Sequence, residues 1–282
     1  FYLAIIVYML LYGMGERQFA PNGVEWWFIS LTVLFMHGWH PETINSVVPG
    51  GWSIAVEMTF YLIVPYLFSK LKTVKAALIA LLCSLLLSKV ASYIAVNFLI
   101  AYYPPTQTYL LHSYTFYWFF SQLPVFLLGV LLFHIIKSNP TDDKQIAGIL
   151  LSFAMLLMVA FLTTATFKEI LPSHVLYSVA VVLMALSLHL SANKILVNKI
   201  TILIGRLSFS IYLIHFLIIE VLQQLIGTNT PFGLDNGYAP LIIIFLLVIL
   251  LTTFISYFTF KFIEKPGINL GSYIIKKSSC NS

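Results

Sequence analysis

Three polar side chains inside an apolar run are the first candidates for chemistry. Ser53, Glu57 and Tyr61 stand at i, i+4 and i+8 in the stretch that opens Pro49-Gly50-Gly51-Trp52-Ser53 and closes at Pro65. A helix over this stretch puts all three on one face. Glu57 is surrounded in sequence by Ile54, Val56, Met58 and Phe60, and a carboxylate in such company at membrane depth is costly to keep without a purpose. It can accept a proton from a hydroxyl, or it can fix a neighbouring helix through a hydrogen bond.

The second constellation lies in Gly205-Arg206-Leu207-Ser208-Phe209-Ser210-Ile211-Tyr212-Leu213-Ile214-His215. Ser208, Tyr212 and His215 follow i, i+4 and i+7, and Gln223 continues the same face. His215 sits about 13 Å along a helix from Arg206, close to mid-membrane. It can shuttle protons or make a helix-packing hydrogen bond.

A third group is His37-Gly38-Trp39-His40-Pro41-Glu42. A metal centre needs three or more converging ligands, and two histidines with one carboxylate give a weak signal, so no metal is expected. The segment reads instead as a polar loop that roofs a site and leads into the Trp52 helix. The aromatic-rich stretch from Tyr102 to Trp118 reads as an outer loop and interfacial belt, or as a surface for stacking on a sugar ring. Glu264, flanked by Lys261 and Lys265 at a helix end, reads as structural.

The elements that position these residues follow from composition. Of 282 residues, 60% are hydrophobic and 9% charged, with mean hydropathy +0.95; an ordinary soluble domain has about 25% charged residues. The solvent is lipid, and long apolar runs favour helices over a period-two barrel. The formal charge of +5 calls for no nucleic acid, because the lysines cluster between apolar runs. Cys83 and Cys280 offer neither a disulfide framework nor metal spacing. The predicted fold is therefore an all-α polytopic bundle.

Nine apolar segments are drawn, at about 1–13, 25–37, 52–69, 75–101, 116–136, 146–166, 174–191, 201–226 and 239–262. Most reach the roughly 20 residues that cross a 30 Å hydrocarbon core. The loops holding Lys70, Lys72 and Lys75, Lys137 and Lys144, and Lys194 and Lys199 alternate with loops 102–115 and 227–238, which have no Lys or Arg, and 167–173, where Lys168 stands beside Glu169. The lysine-rich loops and the carboxyl terminus are therefore expected in the cytoplasm, with the Trp52 helix entering from the outer face. Residues 1–263 form the membrane domain and 264–282 a short cytoplasmic tail. Phe1 opens inside an apolar stretch without a Met or a basic run, so a further amino-terminal part is expected to precede it.

The run holding Trp52, Ser53, Glu57, Phe60, Tyr61, Leu62 and Pro65 resembles the signature of the acyltransferase-3 family, bacterial inner-membrane enzymes that O-acylate cell-surface sugars. The run from Gly205 to His215 is similar to that family's Gly-x-x-Ser-Tyr-x-x-Tyr-Leu-x-His, with Phe209 in place of the usual Tyr, and Glu264-Lys265-Pro266 fits its terminal Glu-x-Pro.

The resemblance implies transfer of an acyl group, usually acetyl, from cytoplasmic acyl-CoA as co-substrate to a hydroxyl of an extracytoplasmic glycan. Known acceptor classes are lipopolysaccharide O-antigen, exopolysaccharide and peptidoglycan. No bound cofactor is implied, and the partners are membrane lipid, acyl-CoA and the glycan. Glu57 and His215 are then the catalytic candidates, with His215 alternatively holding the acyl donor. Trp52, Ser53, Tyr61, His37, His40, Ser208 and Tyr212 are the substrate-binding candidates.

The family's own His and Arg-x-x-Arg motif would lie before Phe1. The resemblance also implies an even number of spans, and parity is restored if 25–37 re-enters the membrane instead of crossing it. A proton-coupled transporter or flippase, with Glu57 and His215 as relay, is the alternative reading.

Overall fold

The computed structural model describes residues 1–138, 143–163, 171–226 and 238–279. Most of the loops 167–173 and 227–238, and Cys280, lie outside the described residues. Among the described residues there is no strand, and an isolated bridge pairs Arg17 with Ala20. Among the described residues, seven helices are long and apolar enough to cross a membrane. The chain is a polytopic helical bundle, and it divides into two compact units, Tyr2–Lys194 and Ile195–Ser282, the second including Phe1.

The larger unit begins with α1 (Tyr2–Tyr12) and α2 (Trp26–Val33). Neither is long enough to span: eight residues of α2 rise about 12 Å. At its end Phe35 adopts φ 58°, a left-handed conformation that is uncommon for a bulky side chain. A 3-10 turn, His37–Trp39, follows, and then a loop runs to α3 (Gly51–Lys70). Gly50, at φ 78°, turns the chain into α3, and Asn45 Oδ1 accepts the Gly50 N–H at 2.7 Å.

The helix α4 (Val74–Leu99) starts at Thr73, whose hydroxyl accepts the Ala76 N–H. Next come α5 (Thr108–Tyr117) and α6 (Phe119–Ser138), broken at Trp118, where the backbone is extended. The expected outer loop 102–115 is thus largely helical from Thr108 onwards. Its mixture of polar and aromatic residues after Pro104-Pro105 has no clear apolar stripe, and packing supplies what the pattern lacks. Leu110 and Leu111 are fully buried. Together α5 and α6 are the most enclosed of these spanning elements.

Val56 and Phe60 of α3, Ala77 and Leu81 of α4, and Phe119, Leu127 and Leu128 of α6 form the core beneath them. The helices α7 (Lys144–Thr163) and α8 (Ser173–Leu190) complete the unit. Ser187 Oγ donates to the Ala147 carbonyl across their contact at 2.6 Å.

The smaller unit contains α9 (Lys199–Ile226) and α10 (Tyr238–Thr259). A π turn, Phe260–Glu264, joins α10 to α11 (Lys265–Ser279). The helix runs on past the expected end of the last apolar segment near 262, so that residues 265–279 of the expected tail are helical. The charges at Lys261, Glu264 and Lys265 mimic a helix end, but the chain stays helical through them, first as the π turn and then as α11.

Candidate active site

The sequence places the first site on α3, and the loop before it is built to hold that helix in place. Arg17 clasps this loop. Its guanidinium donates to the carbonyls of Ser46 at 2.8 Å, Val47 at 3.2 Å and Gly13 at 2.7 Å, and it lies 5.4 Å from the Tyr12 ring centroid. A planar fork with five donors suits three carbonyls better than an ammonium does. Gly38 lets the 3-10 turn press against α3, because a Cβ there would come within 2.9 Å of Ala55 Cβ.

His37 is buried at 2% exposure, and its Nε2 donates to the Gly51 carbonyl at 3.0 Å. A further backbone bond to Leu31 favours the charged ring, but burial outweighs both and pushes the imidazole below its ordinary range. His40 is half-buried; its Nδ1 accepts the Glu42 N–H at 3.3 Å and its ring stands edge-on to Trp27. Burial lowers its pKa too, against the opposing pull of Glu42. Tyr103 reaches Glu42 by a hydrogen bond, and burial together with that carboxylate raises the phenol above its usual range. Sequence reasoning missed the Glu42–Tyr103 pair, since nothing in the spacing of residues 61 apart signals contact. Among the described residues, no three His, Cys, Asp or Glu side chains converge to hold a metal ion.

On α3 the three polar residues of the expected face divide. Tyr61 donates its hydroxyl to Glu57 Oε1, whereas Ser53 Oγ turns back and donates to the Gly50 carbonyl at 3.1 Å. Glu57 is half-buried and Tyr61 is exposed on the unit's surface. Trp52 packs on Tyr117 with ring centroids 4.7 Å apart and belongs to the apolar contacts on either side of it. One side of the helix is thus anchored through Trp52, Val56 and Phe60, and the next carries Glu57 and Tyr61. A carboxylate oriented by a tyrosine hydroxyl can take a proton from a substrate hydroxyl in reach of its free oxygen.

A second feature that the sequence did not flag is a polar knot where α5 meets α6. Ser121 Oγ accepts from Trp118 Nε1 at 3.1 Å and from Ser88 Oγ at 3.3 Å. His174 Nε2 reaches the Ser121 carbonyl at 2.9 Å, and the His174 ring stands edge-on to Phe116. Pro124 lies three residues on in α6 and lacks a backbone N–H, which loosens the ladder there.

In the smaller unit the expected stripe is redistributed. Ser208 is exposed, while Ser210 is buried at 6% and donates to Glu264 Oε2 at 2.9 Å. Tyr212 and His215 are half-buried. His215 Nδ1 lies 2.7 Å from the Tyr212 carbonyl, which assigns the proton to Nδ1 and leaves Nε2 as the acceptor nitrogen. Glu57 belongs to the larger unit and His215 to the smaller.

The family model described as an acyltransferase domain matches residues 1–261. The O-acetyltransferase OatA of Staphylococcus aureus (strain MRSA252) is 24% identical over 279 residues, covering 90% of this chain and 42% of OatA. The chain thus spans less than half the length of the curated relative it matches. No solved structure matches it. With the matched family model covering nearly the whole chain, and with the Trp52–Pro65 and Gly205–His215 runs inside it, the chain belongs to the acyltransferase-3 family.

Proposed function

We propose that the protein is a membrane O-acyltransferase, most simply an O-acetyltransferase, that moves an acyl group from acyl-CoA to a hydroxyl of an extracytoplasmic glycan. The observation that carries this reading is the Glu57–Tyr61 pair on α3, held beneath a clasped loop within a family-matched domain. Attack by a sugar hydroxyl on a thioester needs a base to remove the hydroxyl proton as the new ester bond forms. Glu57 serves as that base, with Tyr61 holding one carboxylate oxygen so that the other faces the acceptor. Trp52, His37 and His40 shape the acceptor side.

The coenzyme A thiolate leaves as the new ester forms. His215, in the smaller unit, is a second candidate base, with Nε2 as its acceptor nitrogen. Ser208 and Tyr212 lie along the same helix and contact the donor or its acyl chain. Lysine distribution supports an orientation in a bacterial inner membrane with the carboxyl-terminal end in the cytoplasm.

The direct test is transfer of radiolabelled acetyl from acetyl-CoA to a glycan fraction in membranes bearing the full-length protein. Activity that needs Glu57 supports the reading. Uptake of a labelled solute without any glycan acetylation would point to transport instead.

A further inference from the structure

The helix α11 takes no part in the acyl-transfer chemistry proposed above. Lys265, Asn269, Ser272 and Lys276 fall along one face of this helix; Leu270 and Ile274 lie opposite and Ile268 and Ile275 along one flank, with Gly267 and Gly271 within that apolar side. Those four aliphatic side chains are 60%, 57%, 55% and 69% exposed. The helix is thus two-faced, with large aliphatics on one side and ammonium groups on the other. Lys261, before it, and Lys277, at its end, add two more positive charges.

Its tether says what lies within reach. At 1.5 Å per residue, the 22 residues of α10 rise about 33 Å, which already crosses a hydrocarbon core of about 30 Å. The next 15 residues therefore begin at the membrane surface. Between them the ladder widens into the π turn Phe260–Glu264, and Pro266 lacks the N–H that would continue it. Both features are recognised causes of a bend in a long helix. A bend there would lay α11 along the bilayer, with its isoleucines in the acyl boundary and its lysines at the headgroups.

We propose that α11 is an interfacial helix that binds anionic phospholipid. Charge complementarity selects the occupant: a helix with lysines on its polar face and flanks, held against a bilayer by a spanning helix, is drawn to negatively charged headgroups. The apolar face supplies insertion and the lysines supply the preference. The consequence is a membrane-surface anchor on the same unit that carries His215.

The test uses the full chain reconstituted at low protein-to-lipid ratio into vesicles of phosphatidylcholine alone, or of equal parts phosphatidylcholine and phosphatidylglycerol. Cys83→Ala and Cys280→Ala remove the native thiols. A single cysteine, Ile274→Cys or Asn269→Cys, then carries an environment-sensitive fluorophore. At 274 the emission should shift to the blue and be quenched by lipid spin-labelled near the headgroup, about twofold more strongly in the anionic vesicles. At 269 the probe should remain open to aqueous iodide.

Replacing Lys261, Lys265, Lys276 and Lys277 by Gln should abolish the difference between the two vesicle types. Water-like emission at 274 in both vesicle types would overturn the proposal. So would quenching that is equal in both, or a blue shift that disappears on further dilution of protein in lipid, since the last would assign the apolar face to a second copy of this chain.

Discussion

Tyr61 donates its hydroxyl to the carboxylate of Glu57 one turn earlier on α3, and this bond separates the pair from Ser53, whose hydroxyl is held by the Gly50 carbonyl. The face that helical spacing assigns to three residues is chemically a face of two. Glu57 is thereby oriented within its own helix, without help from a distant element.

Glu57→Gln keeps shape and one hydrogen bond but removes the base. Glycan acylation should fall about 10²-fold or more at unchanged membrane abundance, and Tyr61→Phe should cost less, about 10-fold, because the carboxylate survives without its orienting donor. Labelled acetyl transfer per unit of immunodetected protein measures both. Full activity in Glu57→Gln would leave the residue a packing role.

Gly38→Ala should destabilise the larger unit by about 1–3 kcal/mol, the ordinary cost of overpacking, because the new methyl meets Ala55 Cβ at 2.9 Å. The compensating double variant, Gly38→Ala with Ala55→Gly, should recover much of the loss. Thermal unfolding in detergent, followed by helical circular dichroism, distinguishes the two.

Arg17→Lys should loosen the loop from residue 43 to residue 50 even though charge is retained, since one ammonium cannot serve the carbonyls of Ser46, Val47 and Gly13 together. A loss of about 1–3 kcal/mol is expected, visible as faster limited proteolysis within that loop. Proteolysis at the wild-type rate would show that the clasp contributes little.

Burial holds the His37 imidazole below its ordinary pKa, so the native ring is neutral where the unfolded ring begins to protonate. The unfolded state then binds more protons, and the contribution of this site is complete above about pH 6.5 and declines as pH falls below it. His37→Gln should flatten that part of the stability profile. Unfolding midpoints collected between neutral and mildly acid pH provide the check.

Ser210→Ala should cost about 1–2 kcal/mol, because the Glu264 carboxylate loses a buried donor, while Ser208→Ala should be near neutral for stability. Comparing the two variants by thermal unfolding separates the buried position from the exposed one. Equal effects would contradict the placement of Ser210 against Glu264.

The sequence by itself determined that the chain is helical and lives in lipid, where the long spans run, and which runs resemble the acyltransferase-3 family. Each of these depends on local composition or fixed spacing: twenty apolar residues span a bilayer whatever their neighbours, and Glu57 and Tyr61 meet because a helix repeats every 3.6 residues. Tertiary structure decided the rest. Whether Ser208 or Ser210 turns inward depends on the position of Glu264, 54 residues on. The helix from Thr108 needed burial of Leu110 and Leu111 to overcome a weak pattern. Arg17 became a clasp only where folding brought the carbonyls of Ser46 and Val47 to it. Contacts between residues far apart in sequence leave no periodic trace, and so they appear only once the helices are packed.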